Sequence, residues 1–339
     1  MIGLVKKNLF IIAEAGVNHN GNLEIAKKMI DIASISGADA VKFQTFNADT
    51  LASKSAQQAQ YQLENTGIHE SQHEMLKKLE LKKDHHIILK QYCETKKIEF
   101  MSSPFDLNSV DFLENLRVKR YKIPSGEITN KPLLEKIAGL KKPTILSTGM
   151  CKLKEIRDAV TIFKNNNFNM HDLTILHAVS DYPASPLESN MSCIRSLKED
   201  LNLNIGYSDH TETDLCAIMA VSQGATVIEK HFTLDKKMPG PDHKASLEPN
   251  ELQSFIKVLR KIESYLGDGI KNPSKSEIKN IQIVRKSIVA SKKILKGELF
   301  TMENITTKRP GTGISPMKIE SVIGEIAKKD FLKDECIEI

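Results

Sequence analysis

Residues 203–231, LNIGYSDHTETDLCAIMAVSQGATVIEKH, hold two short apolar runs, LNIGYS (203–208) and TVIEKH (226–231), with His210 just past the first and His231 closing the second. Runs of this length, closed by a polar residue and separated by a helix-length connection, read as successive strands of a parallel sheet. Six further runs of the same kind precede them: LFIIAE (9–14), DAVKFQT (39–45), IEFMSS (98–103), RYKIPS (120–125), PTILST (143–148) and LTILHA (173–178). Amphipathic segments lie between, among them LEIAKKMIDIASISG (23–37), SVDFLENL (109–116) and KEIRDAVTIFKNN (154–166), with apolar positions three and four apart. Alternating strands and helices imply a parallel sheet. Eight such units predict an α/β fold, a closed (β/α)8 TIM barrel, over residues 1–266.

The connection from Thr45 to Ile98 is far longer than the others. Length of that order marks a functional loop rather than a packing element. It carries QYQLENTGIHESQ (60–72) and belongs on the catalytic face of a barrel. After a last helix (about 250–266), GDGIKNPSKSEIKN opens a polar linker (267–282) containing Gly and Pro. Residues 283–339 then read as short strands and turns, a module too small to be stable by itself and expected to dock on something.

In such a barrel the catalytic groups gather where strands end, because the following loops share one face. Here the strand ends bring Glu14, Lys42, Gln44, Ser103, Lys122, Ser125, Glu127, Ser147, Ser180, Ser208, His210 and His231. Two lysines and a set of serines, without a nucleophilic triad, suit a phosphate or a carboxylate. A single serine after a strand is ordinarily a helix N-cap, but a helix N-terminus also receives phosphate, so the two readings are compatible. A lysine inside an apolar strand is harder to explain, since Lys42 and Lys122 would each bury a charge unless an anion meets it. Either lysine could instead be a Schiff-base nucleophile.

Closing the barrel makes neighbours of the last two strands, so His210 and His231 meet at one rim, with Asp242 and His243 near in sequence. Two histidines there favour a metal site. With only two clear ligands the site suits an octahedral ion used as a Lewis acid, Mn²⁺ or Mg²⁺, better than structural zinc. His19 reads as a rim residue and His177 as core support, while His69, His73, His85, His86 and His171 read as solvent-facing.

Composition narrows the partners. With 48 basic and 43 acidic residues the net charge is only +5, aromatic residues are 5%, and there is no Trp, so nucleic acid has little to stack on. Five cysteines without CxxC spacing argue for reduced thiols and a cytoplasmic location. LFIIAEAG is too short for a signal-peptide core, and no run of eighteen apolar residues exists to cross a membrane.

The series AEAGVNHNG, KFQT, SSPF, YKIPSGEITN, ILSTGM, GYSDHT, EKHFTLD and GPDHKASLEP resembles, in order, the motifs of the sialic acid synthase family. That family condenses phosphoenolpyruvate with an N-acylated mannose-type sugar to a nine-carbon 2-keto acid. KGELFTMENITTKRPGTGISP resembles the family's C-terminal antifreeze-like (SAF, β-clip type) domain. The resemblance implies that Glu14, Glu127, His210 and His231 are catalytic, and that His210 and His231 ligate a divalent metal, Mn²⁺ foremost, with Mg²⁺ or Co²⁺ as alternatives. It implies that Lys42, Ser103, Lys122, Ser125, Ser147, Ser180 and Ser208 bind phosphoenolpyruvate, and that Gln44, Tyr182 and Asp242 face the sugar. Arg309 would reach the other subunit's site in a domain-swapped homodimer.

Pro124 stands where the neuraminate-making branch usually has Gly, and Ser180 and Asp181 precede Tyr182 where it has Asn. These departures look more like the bacterial branch that makes N,N'-diacetyllegionaminate from 2,4-diacetamido-2,4,6-trideoxymannose. The alternatives are an N-acetylneuraminate synthase using N-acetylmannosamine, a Schiff-base aldolase using Lys122, and a non-enzymatic glycan-binding protein.

Overall fold

The computed structural model describes residues 9–339, so residues 1–8 of the expected first domain lie outside the described residues. Eight parallel strands occupy the runs read from the sequence: β1 (Phe10–Gly16), β2 (Ala40–Thr45), β3 (Glu99–Pro104), β4 (Tyr121–Ile123), β5 (Thr144–Ser147), β6 (Leu173–Ala178), β7 (Asn204–Asp209) and β8 (Val227–His231). The ladder runs β3-β2-β1-β8-β7-β6-β5-β4, and its two ends, β3 and β4, lie side by side to close a (β/α)8 barrel. Helices wrap the outside. Leu23–Ser36 shows how locally they are specified: Asn22 accepts the Glu24 and Ile25 amides at its start, and Gly37, at φ 86°, ends it.

The period of two along each strand divides the barrel interior into layers. Ile12, Ala40, Met101, Ile145 and Val227 form a buried apolar plug. Two residues further along the same strands stand Glu14, Lys42, Ser103, Ser147 and Glu229. The barrel is therefore filled with hydrocarbon below and lined with polar groups above, at the ends where the loops gather.

The long β2–β3 connection divides in two. Its last part, the helix Lys83–Lys96, buries Leu89 and Cys93 in the main core. The expectation of a loop without packing elements is corrected there, because the connection includes a barrel helix as well as an insertion. The insertion itself holds the helices Ala48–Leu51, Gln60–Thr66 and Gln72–Leu79. His86 is a second correction. It is 1% exposed, with Nε2 2.8 Å from Thr45 Oγ1 and Nδ1 3.0 Å from the Lys82 carbonyl, so partners inside the fold satisfy a ring expected in solvent.

A second unit spans Gly269–Ile339. Residues assigned to the linker include the start of a helix, Lys275–Val284, nucleated by a capping box between Ser274 and Glu277. Beyond it β9 (Ser287–Ala290) pairs antiparallel with β10 (Ile305–Lys308), and Ile288, Phe300, Ile305 and Phe331 share a small core. Among the described residues no helix is long and apolar enough to cross a membrane.

Candidate active site

The polar layer opens into a cleft of about 440 Å³. Every barrel residue expected at the site lines it: Glu14, Lys42, Gln44, Ser103, Lys122, Ser125, Glu127, Ser147, Ser180, Tyr182, Ser208, His210, His231 and Asp242. Arg309 lies in the second unit, exposed, its Nε donating to the Val284 carbonyl at 2.9 Å. A second cleft of about 560 Å³ opens where β1, β2 and β3 begin, and its carboxylates Glu94 and Glu99 are each paired, with Lys90 and with Arg120. Chemistry belongs to the smaller cleft, where polar groups converge.

At its floor four buried charges interlock. Lys42 Nζ is 2.8 Å from Glu14 Oε2 and 3.6 Å from Glu229 Oε2, and Lys122 Nζ is 3.3 Å from Glu229 Oε1. Burial raises the Glu14 carboxyl to about 7, against the pull of Lys42. Burial would raise Glu229 as well, but Lys122 and Lys42 together hold it well below its ordinary value. Lys122 is brought down to about 8 by burial, whereas at Lys42 the carboxylates outweigh burial and the ammonium is strengthened. Two cations thus face two carboxyls, of which only Glu14 can change charge near neutrality. An entering anion meets cations that are already partly compensated.

Glu229 was not among the residues expected from the sequence. The signal was present, since it stands two before His231 and so shares its inward face, and a carboxylate inside an apolar strand needs a cation just as Lys42 and Lys122 need an anion.

Hydroxyls surround this quartet. Lys42 donates to Ser103 Oγ at 3.1 Å, and Ser147 Oγ is buried without a protein partner. The Gly149 amide donates to Ser125 Oγ at 2.9 Å. A Cβ on Gly149 would come within 2.1 Å of Ser180 Oγ and 3.0 Å of Ser125 Oγ, so only glycine lets both serines crowd that backbone. Gly149 too escaped the sequence reading of the site. Ser102, one residue from Ser103, points to the opposite side and bonds Thr45 Oγ1 at 2.6 Å.

The two histidines stand with ring centroids 5.5 Å apart, and Tyr182 lies 4.1 Å from His210 and 5.5 Å from His231. His210 Nδ1 is 2.6 Å from the Val179 carbonyl, which can only accept, so the proton sits on Nδ1 and Nε2 offers a lone pair. Ser208, 3.3 Å from that Nε2, donates instead to Glu229 at 2.9 Å. His231 Nδ1 is buried and has no partner. Burial lowers both imidazoles, His210 to about 4, so both are neutral as metal ligands must be. Gly16, at φ 51°, leaves the space that a Cβ would take 3.3 Å from both His231 and Glu14. An orphaned nitrogen and a fixed lone pair fit a divalent cation. Among the described residues no third His, Cys, Asp or Glu completes a cluster, so its remaining positions would fall to water and substrate. His243 is occupied elsewhere, its Nδ1 2.7 Å from Thr233 Oγ1.

Toward the mouth, burial raises Asp242 to about 6 and also raises Glu127, whose Oε2 accepts from Asn130 at 2.6 Å. The insertion supplies Tyr61, whose ring lies tilted with its centroid 4.9 Å from that of Tyr182, and Asn65, which donates to the Tyr182 carbonyl at 3.2 Å and the Pro241 carbonyl at 2.7 Å. Its helices Gln60–Thr66 and Gln72–Leu79 bring Tyr61, Gln62, Met75 and Leu79 to the wall of the cleft. This wall is half apolar, which suits acyl and methyl substituents.

Comparison with known proteins agrees along the whole chain. Residues 29–271 match the NeuB family and residues 285–338 the SAF domain. The chain is 53% identical to the N,N'-diacetyllegionaminic acid synthase of Campylobacter jejuni, covering 98% of this chain and 99% of that one. It is 48% identical to the protein of the same name from Legionella pneumophila, covering 93% and 89%. Among solved structures, the N-acetylneuraminic acid synthetase of Leptospira borgpetersenii superimposes with a TM-score of 0.72 at 35% identity, covering 83% of this chain and 94% of that one.

Proposed function

The chain belongs to the NeuB family, and on that footing we propose that it condenses phosphoenolpyruvate with 2,4-diacetamido-2,4,6-trideoxymannose, giving N,N'-diacetyllegionaminate and phosphate. The observation that carries this reading is the convergence, in one cleft, of two buried lysines, a ring of serine hydroxyls and two neutral histidines. The near end-to-end identity to two synthases of that product supports the choice of acceptor.

Lys42 and Lys122, with Ser103, Ser125, Ser147, Ser180 and Ser208, would hold the phosphate and carboxylate of phosphoenolpyruvate. Glu127, Gln44, Tyr182 and Asp242 would face the sugar. His210 and His231 would hold the divalent cation, Mn²⁺ foremost, with Mg²⁺ or Co²⁺ as alternatives. When bound there it supplies Lewis-acid polarisation of the acceptor's open-chain aldehyde. The methylene carbon of phosphoenolpyruvate forms the new bond to the aldehyde carbon, whose oxygen takes a proton. Positive character develops at the enol carbon, facing the carboxylates of the quartet. Water adds at that carbon as Glu14 takes one of its protons, supplying the one the aldehyde oxygen takes up, and the adduct's new hydroxyl passes its proton to the departing phosphate as the carbon–oxygen bond breaks, leaving the ketone. No covalent bond to the enzyme is needed, so both lysines serve as cations throughout.

Homodimerisation, with Arg309 completing the partner's site, belongs to the same proposal, as does a cytoplasmic location. The deciding assay is phosphate release from phosphoenolpyruvate with the diacetamido trideoxy sugar against N-acetylmannosamine, each with and without Mn²⁺. Faster release with N-acetylmannosamine would overturn the acceptor, and full activity in EDTA would overturn the metal.

A further inference from the structure

Ser208 and His210 turn toward the barrel axis, and so do Glu229 and His231 on the neighbouring strand. The residues between them, Asp209 and Lys230, therefore turn outward, and the β7–β8 ladder sets them opposite each other. Both are sealed from solvent, at 0% and 1% exposure. Lys230 Nζ is 3.1 Å from Asp209 Oδ2, donates to the Thr211 carbonyl, and stands 5.8 Å from the ring centroid of Phe255 in the outer helix Pro249–Tyr265. Asp209 Oδ1 accepts the Thr211 amide at 2.9 Å and its hydroxyl at 2.8 Å. The residue before His210 and the residue after it are thus both tied to the residue before His231.

Neither charge lines the cleft, and the chemistry uses neither. Stability does not account for them, because an apolar pair of similar volume would serve a dry site between strand and helix at least as well. What an ion pair with fixed hydrogen bonds adds is geometry. It holds the strand end β8 and the turn after β7 in one lateral register, and that register sets where the two imidazoles stand.

We propose that Asp209 and Lys230 are a positioning pair that keeps His210 and His231 at the separation a shared divalent cation requires. The inference rests on the metal reading above. Its test is titration of the metal-free full-length protein with Mn²⁺, reading free ion by electron paramagnetic resonance, for wild type, Lys230→Met, Lys230→Arg and the apolar double variant Asp209→Leu/Lys230→Met. The double variant is expected to fold with a melting temperature near wild type and to bind Mn²⁺ about tenfold or more weakly, as supporting contacts to metal histidines do elsewhere. Saturating Mn²⁺ should then restore most of kcat, and Lys230→Arg should retain wild-type affinity. Wild-type affinity in a folded Lys230→Met or double variant would overturn the proposal. So would failure of both to fold, which assigns the pair to stability alone. No Mn²⁺ binding by wild type would instead overturn the metal reading, and this inference with it.

Discussion

Glu14 and Lys42 face each other across the β1–β2 ladder, Oε2 to Nζ 2.8 Å, both buried within the barrel. Burial raises Glu14 to about 7 against the pull of Lys42, which itself stays charged, and this puts an exchangeable carboxyl proton at the floor of the cleft.

The pH profile of kcat/KM should therefore rise through about pH 7 as Glu14 ionises and fall above about pH 8 as Lys122 loses its proton. Glu14→Gln should abolish the acid limb and lower the rate by about 100-fold or more. Stability gives an independent check. A carboxyl raised in the fold stabilises it fully below its ordinary 4.5, and that contribution is lost as pH climbs through about 7. The melting temperature of Glu14→Gln should accordingly gain on wild type between pH 5 and pH 8. A profile with no limb near 7 would remove Glu14 from the role.

On the proposed mechanism Lys122, 3.3 Å from Glu229, serves as a cation for phosphoenolpyruvate rather than as a Schiff-base nucleophile. Borohydride with pyruvate should neither inactivate the wild-type enzyme nor add mass at Lys122. Lys122→Met removes the nearer of the two cations facing Glu229, which keeps Lys42 at 3.6 Å, and should destabilise the fold, with KM for phosphoenolpyruvate rising about tenfold or more. Covalent trapping at Lys122 would restore the aldolase alternative.

His210→Ala and His231→Ala should each lower kcat by about 1000-fold, because each removes a neutral imidazole with a free lone pair. Binding of phosphoenolpyruvate, measured by calorimetry, should change little. Wild-type turnover in both would eliminate the metal assignment.

Gly149→Ala places a methyl 2.1 Å from Ser180 Oγ. Ser180 must rotate away, so KM for phosphoenolpyruvate should rise about tenfold while KM for the sugar holds. The reverse pattern would move this backbone to the acceptor side.

Asn65 ties the insertion to the carbonyls of Tyr182 and Pro241. Asn65→Ala should raise KM for the sugar severalfold and leave KM for phosphoenolpyruvate unchanged, since the quartet lies on other elements. Equal effects on both substrates would assign Asn65 to general stability.

The eight strands and much of the site were legible because one regularity encodes both. Apolar runs closed by polar residues mark strands, and in a parallel barrel those closing residues must share a face. His86 and the helix Lys83–Lys96 were misread for the opposite reason. Their character depends on partners such as Thr45, 41 residues away, which local periodicity does not register.

By itself the sequence determined the barrel, the order of its strands and the residue types offered at their ends, since period and termination are local properties. Only the tertiary structure decided which charges compensate which. The Glu229 link to both lysines, the Gly149 contact with Ser180 and the outward pairing of Asp209 with Lys230 arise from strand register and closure, which bring residues distant in sequence within reach of one another at buried positions.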